Sequence, residues 1–238
     1  LGSIYGGIGA EDRRTLGTKL VLHGAQYDTS NTTFPLQMVT NTTITGHSAN
    51  RDELVRLNSE YESPVILMRE VSGVNLENME VVNGVSMDNG GMIEVVNSKE
   101  NDLSNMKLSG GLSVKRGGGI YISNDIDGSV RDDDTTMTMT DVEVEDNDSI
   151  LEGGGVYFSN ANLYIDGLEV IGNSCNNPET QYHGGGIFAA DVGSVVIENS
   201  IIHDNDASVT GVAAGSWGGG IHFENVTAAM RNVQMTSN

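Results

Sequence analysis

The chain has 238 residues, of which 37% are hydrophobic and 5% aromatic, with 31 glycines and only 3 prolines. Thirty-three acids against 12 bases give a formal charge of −21, a surface that repels nucleic-acid phosphates and anionic lipid and attracts cations. No apolar run approaches the roughly 20 residues of a membrane span, and a single cysteine, Cys175, excludes an intrachain disulfide.

The opening 70 residues hold two degenerate strand-then-glycine stretches, Lys19-Leu-Val-Leu-His-Gly24 and Thr42-Thr-Ile-Thr-Gly46. Ala25 to Phe34 and His47 to Glu62 read as loops. Pro64-Val-Ile-Leu-Met68 occupies the place of a further strand.

From residue 71 the chain is a repeat. A seven-residue block appears as Asn78-Met-Glu-Val-Val-Asn-Gly84, Asn105-Met-Lys-Leu-Ser-Gly-Gly111, Asp141-Val-Glu-Val-Glu-Asp-Asn147 and Gly167-Leu-Glu-Val-Ile-Gly-Asn173. Asn199-Ser-Ile-Ile-His-Asp-Asn205 and Asn232-Val-Gln-Met-Thr-Ser-Asn238 complete the set. Copies start 27, 36, 26, 32 and 33 residues apart, so the repeat has elastic loops. Position one is Asn, Asp or Gly; position four is apolar (Val81, Leu108, Val144, Val170, Ile202, Met235); position seven is Gly or Asn.

A short alternating strand precedes each block, and its third residues, Leu76, Leu103, Met139, Ile165, Ile197 and Met230, form an inward column by period-two alternation. Asn101, on the same face, requires a hydrogen-bond partner. After the first five blocks comes a glycine-rich strand: Gly90-Gly-Met-Ile-Glu-Val95, Gly117-Gly-Gly-Ile-Tyr-Ile122, Gly153-Gly-Gly-Val-Tyr-Phe158, Gly184-Gly-Gly-Ile-Phe-Ala189 and Gly218-Gly-Gly-Ile-His-Phe223. Asn176 to His183 and Ala207 to Trp217 are extra loops at one corner.

Strands this short, recurring without helical periodicity, leave no room for the crossover helices of a βαβ sheet. They wind instead as an all-β, right-handed parallel β-helix solenoid of about seven coils with three short strands each. The expected organisation is a single β-helix segment over residues 1–238, irregular over 1–70 and regular over 71–238, belonging to a longer protein. Position seven suits a left-handed turn residue, and Asn147, Asn173 and Asn205 are expected to stack their amides as a ladder, with Asn238 as a further rung.

The pairing of Gly-Gly-Gly-Ile-Tyr-Ile with a later Val-x-x-Asn resembles right-handed parallel β-helix proteins of the pectin-lyase-like superfamily. Within it the likeness is to repeat-bearing surface proteins such as the chlamydial polymorphic outer-membrane adhesins. Their repeats carry Gly-Gly-Ala-Ile and Phe-x-x-Asn; here the third residue is Gly or Met, and no Phe-x-x-Asn occurs. The likeness spans Val74 to Asn238. It implies an extracellular or cell-surface setting and a structural or adhesive role, with filament formation included.

Enzymes of this superfamily use carboxylates, Ca²⁺ or a basic residue on an exposed strand face. The outward residues of the glycine-rich strands, Glu94, Tyr121, Tyr157, Phe188 and His222, offer no such pair, so the reading favours a non-catalytic module, with a polysaccharide lyase or glycoside hydrolase as the alternative. Tyr121, Tyr157, Phe188 and His222 instead form a candidate binding stripe, either exposed for stacking on carbohydrate or on another surface protein, or covered by neighbouring loops. Homotypic contacts are the other partner expected. No cofactor is implied beyond Ca²⁺: Asp125, Asp127 and Asp134 fall at positions three, five and twelve of a Ca²⁺ loop with Gly128 at six, although Ser123 stands at position one. A solvated acidic turn is the competing reading. Asn31 and Asn225 lie in Asn-x-Thr acceptor patterns for glycosylation.

Overall fold

The structure, a computed structural model, describes residues 18–23, 26–47, 54–126, 129–130, 135–176, 182–207 and 216–238, with no helix among them. Three parallel sheets run side by side along one axis. The widest has 12 strands and carries both the alternating strands and the seven-residue blocks. A second has seven strands, Leu36–Gln37, Ile66–Arg69, Ile93–Val96, Ile120–Ser123, Val156–Ser159, Ile187–Ala190 and Ile221–Glu224, which are the glycine-rich strands and their N-terminal counterparts. A third has four two-residue strands, Val85–Ser86, Leu112–Ser113, Asp148–Ser149 and Ser174–Cys175. The chain visits the three in rotation, making about six turns of a β-solenoid, as the repeat predicts.

Three strands per coil is the right number, but the division differs. The alternating stretch and the block are one continuous strand in Asn75–Val82, Asn101–Ser109, Thr135–Glu145 and Ala161–Ile171. They look separate in the sequence because position one interrupts the alternation. Asn78, Asn105, Asp141, Gly167, Asn199 and Asn232 have φ between 47° and 74°. Asn105 and Asp141 drop out of the ladder while Ser104↔Thr140 and Met106↔Val142 pair on either side. This left-handed residue, aligned in both strands, reverses the inside–outside phase, so positions two and four of the block both face inward. Met79, Met106, Val142, Leu168 and Ser200 at position two are accordingly buried.

Position seven is not the left-handed residue. That conformation belongs to position six, where Asn83, Gly110, Asp146, Gly172, Asp204 and Ser237 have φ of 50° to 73°. The turn at position six swings position seven into the interior, and Asn there has an inward amide instead of a turning backbone. Among the glycine-rich corners, Gly153 has a φ of 61°. At Gly154 a Cβ would sit within van der Waals radius of the carbonyl oxygens of Ser174 and Gly185 on the next coil, so only glycine permits the stacking distance.

The core is a set of columns. Leu76, Leu103, Met139, Ile165 and Ile197 stand in register on consecutive coils, as do Val81, Leu108, Val144, Val170 and Ile202, all buried. Met230 and Met235, which continue these columns on the last coil, are exposed. Each fully buried aliphatic side chain contributes about 1.5–3 kcal/mol. Asn101 finds half of what it needs: its Oδ1 accepts from the Val74 amide at 3.0 Å, while Nδ2 has no partner in the structure.

Two stretches read as loops contain strands. Gln26–Tyr27 and Val55–Asn58 pair with each other, and Val55 and Leu57 pair with Met79 and Val81, extending the inward columns downward. Val55-Arg-Leu-Asn58 is thus a shortened block, hidden because no flanking motif survives. The insertions after Cys175 and Asp206 contribute one parallel pair, Tyr182–His183 with Ser216–Trp217.

Candidate functional site

Tyr121, Tyr157, Phe188 and His222 stand in one in-register column on the outer side of the seven-stranded sheet. Their ring centroids are 5.1, 5.2 and 5.4 Å apart with interplanar angles of 9°, 11° and 7°. Stacking at the coil repeat hides both faces of each inner ring. Arg116 lies over Tyr157, 5.2 Å from the ring centre, held by Glu152 at 2.7 Å. Tyr121 is 7%, Tyr157 6% and Phe188 2% exposed. These three rings are buried by one another and by Arg116, and His222 is half-buried. Burial pushes the Tyr157 phenol up to about 12, outweighing the opposing charge of Arg116. Glu94 continues the column at its other end and takes a bidentate pair of bonds from Arg69, at 3.1 and 2.7 Å.

The position-seven amides form a continuous chain through the interior. Asn147 Nδ2 donates to Asn173 Oδ1 at 2.9 Å, Asn173 Nδ2 to Asn205 Oδ1 at 3.0 Å, and Asn205 Nδ2 to Asn238 Oδ1 at 2.9 Å. Each Oδ1 also accepts the backbone amide of the rung below, and the Gly111 amide binds Asn147 Oδ1 at 2.7 Å.

The remaining candidates disperse. Asp127 and Asp134 lie outside the described residues, and Asp125 begins the strand Asp125–Ile126, whose side chains are likewise not described. Among the described residues no cluster of three or more His, Cys, Asp or Glu is placed to hold a metal. Asn31 is exposed, its Oδ1 accepting from the Asp28 amide at 3.0 Å. Asn225 is exposed too, with φ 52° and Nδ2 bonded to Asp191 at 3.1 Å.

A concavity lies on a different face. A groove of about 290 Å³ crosses the outside of the 12-stranded sheet. Its floor is two outward columns in register, Thr136–Asn162–Ser194 and Thr138–Tyr164–Val196, with Glu100 at one side. Tyr164 is 43% exposed, and its hydroxyl donates to Glu198 at 3.3 Å. The charge of Glu198 raises this phenol. Glu198 is ion-paired with Arg231, and it stands in register with Asp166, which accepts from Asn199 at 2.7 Å. An aromatic face beside hydroxyls and an amide is the chemistry that holds a sugar ring.

These residues escape sequence reasoning that looks only at the glycine-rich strands. Their signal is the set of even positions of the alternating strand, visible once copies are aligned. The same sheet places carboxylates on neighbouring coils, Glu143↔Glu169 and Asp166↔Glu198, a pairing that the glycine-rich strands lack. Lys107 bridges upward to Glu143 at 3.0 Å and Glu145 at 2.7 Å. For Glu145, burial favours the neutral acid, but the hydrogen bonds from Lys107 and with Glu143 outweigh it and hold the carboxyl below its ordinary range. Glu143 is raised, chiefly by burial.

The family described as right handed beta helix region matches residues 64–238. No curated protein and no solved structure matches the chain.

Proposed function

Because this chain belongs to the right-handed β-helix family, we propose that it is an adhesive module of an extracellular or cell-surface protein that binds carbohydrate in the groove beside Tyr164. The observation carrying this reading is the groove itself, where an exposed aromatic ring lies among Thr136, Thr138, Asn162 and Ser194. Arg69, Lys107, Lys115 and Arg116 supply no second site, since each reaches a carboxylate on a neighbouring coil and acts as a tie between turns. Glu100 and Glu198 beside the groove, on a chain of charge −21, disfavour uronates and select neutral or amino sugars.

The test is calorimetric titration with neutral oligosaccharides. Tyr164→Ala should weaken binding about tenfold, the worth of one aromatic contact of roughly 1.4 kcal/mol. Equal binding by wild type and variant removes the groove from the reading. The in-register Asp166 and Glu198 favour a second reading, glycoside hydrolysis. Release of new reducing ends by the wild type, lost in Asp166→Asn, would favour that one over adhesion.

A further inference from the structure

The four-stranded sheet has an outer face unlike the rest of the surface. Val85, Leu112 and Asp148 occupy one outward column on consecutive coils. The next column comprises Met87, Val114 and Ile150, aligned by bonds from the Val114 amide to Ser86 and from the Ile150 amide to Ser113. Met87 is 81%, Leu112 40% and Ile150 36% exposed, three of the nine large apolar side chains exposed among the described residues. Tyr61, also exposed, sits over the adjoining corner near Gly110. An apolar patch of this kind on an otherwise polar surface marks a contact with a partner.

Its rim is acidic. Glu62, Asp88, Asp146 and Asp148 are exposed around it, and the nearby Lys115 is engaged by Asp88 at 2.6 Å. A second copy of the chain would bring a like-charged surface of −21 against this one, which opposes self-association. A cationic partner is attracted. Spacing narrows its form: coils repeat at about 4.8 Å, and an α-helix turns every ~5.4 Å. A helix laid along the solenoid axis therefore sets apolar side chains at i, i+3 or i+4, and i+7 against three successive coils.

We propose that the face made by Val85, Met87, Leu112, Val114 and Ile150 docks a basic amphipathic helix of a partner protein, apolar side toward the patch and Lys or Arg toward the acidic rim. A helical Leu/Lys peptide with leucines at that spacing, labelled and titrated with the full chain, tests this by fluorescence anisotropy beside a scrambled peptide of the same composition. Leu112→Glu and Ile150→Glu should each weaken binding about tenfold or more, as should scrambling, while Tyr164→Ala leaves it unchanged. Both substituted positions are exposed, so an unaltered thermal melt accompanies the loss. The proposal is overturned by absence of binding, or by equal binding of both peptides that the variants do not change, which is attraction to bulk charge alone. It is equally overturned by a sedimenting dimer that Leu112→Glu dissolves, which assigns the patch to a second copy.

Discussion

Tyr157 shows how one side chain changes meaning with its surroundings. On an open strand it would be a stacking platform; between Tyr121 and Phe188, under Arg116, it is part of a secondary core with Val96. Burial pushes its phenol up to about 12 in the folded chain, against 10.0 for a free one. Below the lower value both states hold the proton and nothing changes. Between the two, the unfolded chain releases its proton while the folded one keeps it, so stability falls as pH rises, by about 3 kcal/mol across the window. Tyr157→Phe should remove that part of the alkaline loss in denaturant titrations at a series of pH values. An unchanged slope would mean that the ring is far better hydrated than its 6% exposure implies.

Between elements, the asparagine ladder is the tie that apolar columns cannot provide. Leucine and valine columns tolerate sliding, whereas Asn173 specifies which coil sits where. It donates to Val144 O at 2.8 Å and Ile171 O at 3.1 Å while accepting from Asn147. In Asn173→Ala these buried groups lose their partners together. The expected cost is about 3 kcal/mol in equilibrium unfolding, and a loss under about 1 kcal/mol would show that water replaces the amide. The ladder is legible in the sequence, since Asn147, Asn173 and Asn205 recur at one position of an alignable block. The turn that aims them inward is not, because small polar residues and Gly fill positions one and six as well as seven. All three positions call for small polar residues, two for a left-handed backbone and one for a hydrogen bond.

Across the whole molecule, a charge of −21 is held on a narrow solenoid by ties such as Arg69–Glu94, Lys107–Glu143 and Arg231–Glu198. Repulsion among the unpaired acids acts over long range, while each tie acts at contact. Raising salt from about 0.01 M to about 0.5 M shortens the screening length well below the molecular dimensions. The melting temperature should rise by a few degrees. A fall would show that the ties outweigh the repulsion.

The architecture is written in the chain because a solenoid repeats the same local problem: an apolar residue at a fixed place in each block predicts Leu108 over Val81 and Val144 over Leu108. Period and chemistry coincide there, and one sequence suffices. Sequence alone also places Tyr121, Tyr157 and Phe188 on one column, since equal positions in equal strands must stack. Their burial was decided only by the tertiary structure, because exposure depends on what lies above and beside a ring, here the neighbouring rings and Arg116. The groove at Tyr164 and the apolar face at Met87 and Leu112 belong to the same class. Each is made of residues from several coils whose side-by-side placement follows from coil register and corner geometry, and neither is local to any stretch of the chain.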